Sequence, residues 1–94
     1  MRVRVTDDAV ADLRQIKAFI SEDDAVAADR VIERVRKTVE LLAILPRTGH
    51  DGIVPGTFEK VVPRVPYVVV FRVDIIGGSR ELVLLRVYHT AQDR

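Results

Sequence analysis

The chain has 94 residues, of which 48% are hydrophobic and 31% are charged, a balance typical of one compact domain rather than a disordered segment. Fifteen basic and 14 acidic residues give a net charge of +1, so no overall attraction to nucleic acid is expected. The absence of cysteine excludes disulfides and thiolate chemistry.

The first predicted element is a short strand, because Val3 and Val5 alternate with Arg2 and Arg4. It does not resemble a hydrophobic signal segment, and no apolar run reaches the roughly 18 residues that a membrane helix needs. We therefore expect a cytoplasmic protein with no membrane partner.

A helix is predicted next, with Thr6 as its N-cap and Asp7 and Asp8 in the first turn, where negative charge is favourable. Apolar residues then recur at spacings of four, three and four, which marks one buried stripe of a helix. The stripe consists of Ala9, Leu13, Ile16 and Ile20.

A second helix is predicted to begin at Asp23 or Asp24 and to end near Leu45, because Pro46 cannot continue it. The short link makes the two helices an antiparallel hairpin, with one apolar side each, that covers one face of a sheet. The second stripe consists of Ala28, Ile32, Val35, Val39 and Leu42. The opposite face carries Arg30, Arg34 and Lys37, as a contact stripe or as a solvated face with local ion pairs.

Residues 46–57 are rich in glycine and proline and are predicted to form a surface loop. His50 lies in this loop without a second ligand nearby, so no metal site is predicted. Three β-type runs follow at residues 58–62, 67–73 and 81–89. Prolines separate the first two, and a glycine-rich turn at residues 77–79 makes a hairpin of the last two. The fold class is therefore α+β, in the order β-α-α-β-β-β.

The run at residues 68–73 is nearly continuous in apolar residues and does not alternate with polar ones, which places it at the centre of a three-stranded meander. The third run is more polar, and a mild basic bias, from Arg80, Arg86 and Arg94 against Glu81 and Asp93, marks the C-terminal end. This bias is typical of a solvated rim.

Common enzyme signatures are absent: there is no phosphate-binding glycine loop, no nucleophile elbow and no zinc-binding helix motif. One set of residues on or beside the meander permits ribonuclease chemistry, in which His89 moves the proton of a 2′-hydroxyl and an arginine stabilises the phosphate. Alternation weakens this reading, because Arg86 and Tyr88 share a face while His89 points the other way. The set is Lys60, Arg64, Tyr67, Arg72, Arg86, Tyr88 and His89.

The order and spacing of several short segments resemble the RelE/ParE family of type II toxins, and more closely its ParE branch. The segments are Ala11-Asp12-Leu13 with Ile16, Phe19 and Ile20; Ala28 with Ile32; residues 45–49; residues 54–57; residues 66–73; and residues 84–93. The resemblance implies a helical hairpin packed on an antiparallel sheet. It also implies a growth-inhibiting toxin that a cognate antitoxin neutralises by wrapping its C-terminal segment around it. An apolar groove between sheet and helices is where an amphipathic segment is expected to dock.

The two branches differ in target. ParE-like toxins inhibit DNA gyrase by binding, with no established catalytic set, whereas RelE-like toxins cleave messenger RNA on the ribosome with basic residues and a C-terminal Tyr or His. Val68 stands where the nuclease branch places an arginine on the central strand. This chain also departs from the ParE pattern, because Phe58 stands in place of an expected arginine and only five residues follow His89.

We therefore expect a ParE-like gyrase inhibitor without catalytic residues or cofactors, neutralised by a ParD-like ribbon-helix-helix antitoxin through which alone it reaches operator DNA. The expected partner-binding residues are Arg64, Tyr67, Arg72, Arg86, Tyr88 and His89. One alternative is a RelE-like messenger endoribonuclease that uses Lys60, Arg64, Arg86 and His89. The other is a weakly toxic family member with a different target.

Overall fold

A computed structural model describes residues 1–92 and confirms the predicted arrangement of a helical hairpin on a sheet. Asp93 and Arg94, which both belong to the predicted basic bias, lie outside the described residues. Asp93 is also the last residue of the final matching segment. Along residues 1–92, no helix is long and apolar enough to cross a membrane. The elements are β1 (Arg2–Val5), α1 (Asp7–Ser21), α2 (Ala25–Ile44), a 3-10 helix (Pro46–Thr48), β2 (His50–Asp51), β3 (Phe58–Val61), β4 (Tyr67–Ile76) and β5 (Ser79–His89).

Both helices begin at caps that the sequence predicts. Thr6 Oγ1 accepts a hydrogen bond from the Ala9 N–H at 3.1 Å, and Asp24 Oδ1 accepts one from the Ala27 N–H at 3.0 Å. Each bond satisfies a backbone donor that has no partner inside the helix. The predicted stripes face the sheet, with α2 contributing more buried side chains than α1. The fully buried members are Ala9, Ala28, Val35, Val39 and Leu42.

The sheet has five strands in the order β1-β5-β4-β3-β2. β3, β4 and β5 form the predicted antiparallel meander with β4 at its centre. β1 joins the remaining edge of β5 in parallel, with Val3 opposite Leu82, so the whole sheet is mixed rather than purely antiparallel. The predicted loop at residues 46–57 also contains the 3-10 helix and the two-residue β2, which pairs with β3.

A β-bulge in β5 decides which face its polar residues occupy. Val70 pairs with Arg86 whereas Phe71 pairs with Leu84, so Leu85 is the extra residue. Strict alternation from Leu84 would have placed Arg86 on the helix-covered face. The bulge shifts the alternation by one residue, which sends Val87 into the core and Arg86 to the other side.

The main core lies between the helices and the sheet, with Phe71, Leu42 and Leu82 as its largest fully buried side chains. Val68 and Val83 are also buried, at 2% and 0% exposure, although their register places them on the face away from the helices. Buried side chains therefore lie on both faces of β4, as its nearly continuous apolar run at residues 68–73 predicts.

Candidate functional site

The face of the sheet away from the helices, which we call the open face, holds only part of the predicted basic set. The strand registers place Arg72, Arg86 and Tyr88 on the open face. Tyr67 belongs to the helix-side core, and His89 and Lys60 share its side of the sheet because they pair with Tyr67 and Val69. The predicted set is therefore divided between two faces.

Arg86 is held by a carboxylate on α1. Its Nε donates to Asp12 Oδ2 at 2.8 Å, and a terminal nitrogen donates to Asp12 Oδ1 at 3.0 Å. The two side chains therefore form a bidentate salt bridge, which fixes their relative orientation. The hydrogen bond with Asp12 is also the main reason that the pKa of Arg86 lies above its ordinary value. The guanidinium carbon stands 5.0 Å from the centre of the Tyr88 ring.

Asp12 also satisfies the edge of β5. Its Oδ2 accepts the Val87 N–H at 2.9 Å, beyond the point where β1 ends and leaves the β5 backbone without a neighbouring strand. The carboxylate is largely buried, with 11% of its side chain exposed. Asp12 therefore fixes the α1–β5 contact and neutralises the arginine at once.

Arg72 is likewise neutralised. Its Nε donates to Asp74 Oδ1 at 2.9 Å, and Asp74 also lies 3.6 Å from Arg4, which bonds Glu81 at 2.9 Å. Two arginines and two carboxylates thus form one network across β1, β5 and β4. The registers place Val83 between the two arginines, so their apolar stems lie beside the buried valine.

His89 organises the C-terminal turn. Its Nδ1 accepts the Ala91 N–H at 3.0 Å, and its backbone N–H donates to the Gln92 side chain at 2.6 Å. The ring stands edge-on to Tyr67 with centroids 5.3 Å apart, and burial raises the pKa of the tyrosine. Because Nδ1 is occupied by the Ala91 N–H, only Nε2 of the ring is left to contact a partner or substrate.

The remaining candidates do not converge either. Arg64 lies in the exposed turn between β3 and β4, with a positive φ of 69°. The Lys60 ammonium donates to the Thr48 carbonyl at 3.1 Å. No cluster of three histidine or carboxylate side chains that could hold a metal occurs within residues 1–92.

The open face contains a cavity of about 350 Å³ between the loop before β3 and strands β4 and β5. Ile53 and Val54 on its rim are 65% and 63% exposed, while Glu59 on its floor is 4% exposed. A phosphodiester in this cavity would meet a carboxylate and an arginine that is already paired. The lining is Ile53, Val54, Thr57, Glu59, Val70, Leu85, Arg86 and Tyr88.

A second cavity, of about 450 Å³, lies between the helices and the edge strand β1. We call it the apolar groove, and it lies between the sheet and the helices, where an amphipathic segment is expected to dock. Val3 and Val5 are each 41% exposed on its β1 side. Its lining is Val3, Val5, Leu13, Ile32, Val35, Arg36, Val39, Glu40 and Leu84.

The sequence did not assign a role to Asp12, although it lies in the helix segment that resembles the toxin family. The available signal was an acidic residue directly beside Leu13 of the buried stripe. Such a position requires a partner at the edge of the core, but the sequence does not identify it.

Comparisons with known proteins identify the family of this chain. The sequence model of the family described as "ParE toxin of type II toxin-antitoxin system, parDE" matches residues 3–94. A candidate toxin of Sinorhizobium fredii, Y4kP, is 36% identical over 91 residues, which span 97% of this chain and 90% of that relative.

Solved structures share the fold. A chain of the chromosomal ParDE system from P. aeruginosa aligns with a TM-score of 0.81 at 24% identity, covering 95% of both chains. The YoeB/ParE toxin from Agrobacterium tumefaciens gives 0.66 at 18% identity, over 95% of this chain and 98% of that one. A chain of the RelBE2 toxin–antitoxin complex from Mycobacterium tuberculosis gives 0.59 at 26% identity, over 94% and 95%. The chain is therefore a member of the ParE toxin family and the toxin of a type II toxin–antitoxin system.

Proposed function

We propose that this toxin inhibits DNA gyrase by binding to it, without catalysis, and that a ParD-like antitoxin with a ribbon-helix-helix domain neutralises it. The main observation in favour of a non-catalytic mechanism is the bidentate salt bridge between Arg86 and Asp12. The arginine best placed to stabilise a phosphate is committed to the fold.

An acid–base ribonuclease needs a proton acceptor and a free cation within reach of one phosphodiester. Here Arg86 and His89 lie on opposite sides of β5, and Nδ1 of the imidazole is already occupied by the Ala91 N–H. Val68 is buried at the position where the nuclease branch is expected to place an arginine. These three features favour binding over RNA cleavage.

The open face offers features suited to a protein partner. Exposed Ile53 and Val54 lie beside Tyr88 and Arg86 around the 350 Å³ cavity. Tyrosine and arginine are frequent anchors of protein interfaces, and exposed aliphatic side chains add apolar area for a partner to bury. We place the gyrase contact on this face. Tyr67 is buried in the core, so it supports the surface rather than contacting the target.

The ParD-like antitoxin is proposed from the parDE family match and from the fold shared with a ParDE chain. The apolar groove is the surface where its C-terminal segment docks. The groove is lined almost entirely by aliphatic side chains, with Arg36 and Glu40 of α2 also in its lining. An amphipathic segment can bury its apolar side against them. With a net charge of +1, the toxin reaches operator DNA only through its antitoxin.

Expression of the toxin in cells tests target and mechanism together. We expect growth arrest with progressive relaxation of a reporter plasmid, resolved on chloroquine gels, while primer extension shows intact messenger RNA. A variant with Lys60→Ala, Arg64→Ala and His89→Gln removes three residues of the nuclease alternative and leaves the Asp12–Arg86 pair in place. We expect it to relax the plasmid within about twofold of the wild type, since protein interfaces concentrate their energy in a few anchors.

The matched control changes Arg14, Lys17 and Arg30 on the outer sides of the helices to alanine, and it should behave as the wild type. Ribosome-dependent messenger cleavage by the wild type that the triple variant abolishes would contradict the proposal. That result would support the RelE-like alternative.

A further inference from the structure

Two cavities lie at the C-terminal end of α2, and the same two arginines, Arg47 and Arg80, line both of them. One, of about 240 Å³, has Phe58, Phe71 and Val73 in its lining, and the other, of about 360 Å³, includes Ile44 and Leu45. Both are also lined by Pro46, Arg47 and Arg80. We call this region the basic end surface and define it by Ile44, Leu45, Arg47, Phe58, Val73 and Arg80.

Several arginines elsewhere on the molecule are neutralised within the fold. Arg4, Arg36, Arg72 and Arg86 all pair with carboxylates. Among the residues that the structure describes, neither Arg47 nor Arg80 forms an ion pair, and neither cavity has an Asp or Glu in its lining. The helix dipole favours a cation beside the end of α2 and can account for Arg47, but Arg80 belongs to the β4–β5 hairpin. The surface is therefore positively charged, and no carboxylate among the described residues that line the two cavities offsets the charge of Arg47 and Arg80.

The loop that carries Arg47 is held in place. A side chain at Gly49 would come within 2.9 Å of the Phe71 ring and 3.2 Å of the Glu59 carbonyl, so the glycine allows close packing against the sheet. Lys60 Nζ donates to the Thr48 carbonyl at 3.1 Å from the neighbouring strand. The backbone of Arg47 is thus already ordered, so less conformational entropy is lost when a partner binds this residue.

The apolar part of the surface decides which class of partner fits. Ile44 and Leu45 are 73% and 51% exposed, and Ile75, paired with Arg80 across the hairpin, is 76% exposed. A nucleic-acid backbone would use the arginines and leave these side chains in water. A peptide with a carboxylate beside an aliphatic or aromatic side chain uses both.

We propose that the basic end surface binds an acidic, apolar-flanked segment of the antitoxin, with its carboxylates on Arg47 and Arg80 and an apolar side chain in the cavities between them. The inference rests on the proposed function for the identity of the partner. It adds a second contact to the apolar groove, which reaches Glu40 of α2, one helical turn before Ile44. One antitoxin chain that leaves the groove along α2 arrives at the basic end surface.

The test uses the full-length toxin and the antitoxin encoded beside it, and measures dissociation constants and dissociation rates by biolayer interferometry at two salt concentrations. Arg47→Glu with Arg80→Glu should weaken binding at least about tenfold, since reversed charges meet the antitoxin's carboxylates. Ile44→Ser, in a separate protein, should speed dissociation through loss of the apolar contact. The matched control is Arg14→Glu with Arg30→Glu, two exposed arginines outside both cavities, and it should change binding less than twofold. Thermal unfolding confirms that each variant is folded.

Increasing salt should weaken wild-type binding more than binding of the Arg47→Glu, Arg80→Glu protein. Equal affinity of that protein and the wild type would overturn the second contact while leaving the antitoxin assignment intact. Equal losses of affinity in the Arg47→Glu, Arg80→Glu protein and in its control would attribute the effect to overall charge and would also overturn the second contact. If the wild-type toxin does not bind the antitoxin encoded beside it, the proposal of a ParD-like partner is wrong and this inference is wrong with it. Binding of a DNA duplex by the free toxin, lost on reversing Arg47 and Arg80, would reassign the surface to nucleic acid.

Discussion

Val69→Asp is expected to abolish the cooperative unfolding transition of the toxin. Val69 is completely buried on the helix side of β4, the central strand of the meander, and it pairs with Lys60 on one side and Val87 on the other. A carboxylate there loses its hydration, and Lys60 does not relieve it because its ammonium is turned toward the Thr48 carbonyl. The cost is about 4 kcal/mol or more, a large part of the stability of a small domain.

Circular dichroism melting and urea titration measure this effect. Ile75→Asp is the matched control, because it makes the same type of change on the same strand where the side chain is 76% exposed. We expect the control to change the free energy of unfolding by about 0.5 kcal/mol or less. A Val69→Asp protein that melts cooperatively near the wild-type temperature would show that β4 is not the central strand.

Asp12→Ala should lower the free energy of unfolding by about 2 kcal/mol, which corresponds to a melting temperature roughly 10 °C lower for a chain of this size. The substitution leaves the partly buried Val87 N–H without its acceptor and removes both hydrogen bonds between Arg86 and Asp12. Because the arginine side chain is 41% exposed, water takes up part of its loss, and the backbone donor accounts for much of the effect.

Asp29→Ala removes a carboxylate whose side chain is 71% exposed and which pairs with Lys17 at 3.5 Å, so it serves as the surface control. Its expected cost is below about 0.5 kcal/mol. Asp12→Asn should lie between the two, because an amide oxygen still accepts the Val87 N–H. If Asp12→Ala and Asp29→Ala melt at the same temperature, Asp12 does not hold α1 on β5.

The helices and the meander could be predicted because their signals are local. Thr6 and Asp24 act as caps within three residues of their partners, and the stripes repeat at helical spacing regardless of what they contact. The nearly continuous apolar run at residues 68–73 of β4 likewise predicted a strand covered on both faces, as the burial of Val68 confirms. Each of these features is recorded within a short stretch of sequence.

The site depends on features that are not local. Leu85 becomes a bulge only in pairing with β4, and this shift decides that Arg86 leaves the core. The partner of Arg86 is 74 residues away on α1. From the sequence, Arg72 and Arg86 counted as cations available to a phosphate, whereas the folded chain pairs both with carboxylates. The parallel pairing of β1 with β5 could not be predicted from the sequence either. Alternation indicates which face of a strand is buried, but it does not indicate which strand lies beside it.

Supercoiling of relaxed plasmid by purified gyrase, with increasing toxin and then with the cognate antitoxin, tests the central claim most directly. A toxin that acts by binding is expected to inhibit supercoiling in proportion to its occupancy of the enzyme, and the cognate antitoxin, added afterwards, should restore supercoiling. The variant with Lys60→Ala, Arg64→Ala and His89→Gln should inhibit nearly as well as the wild type. Undiminished supercoiling in the presence of folded toxin that binds its antitoxin would contradict the account.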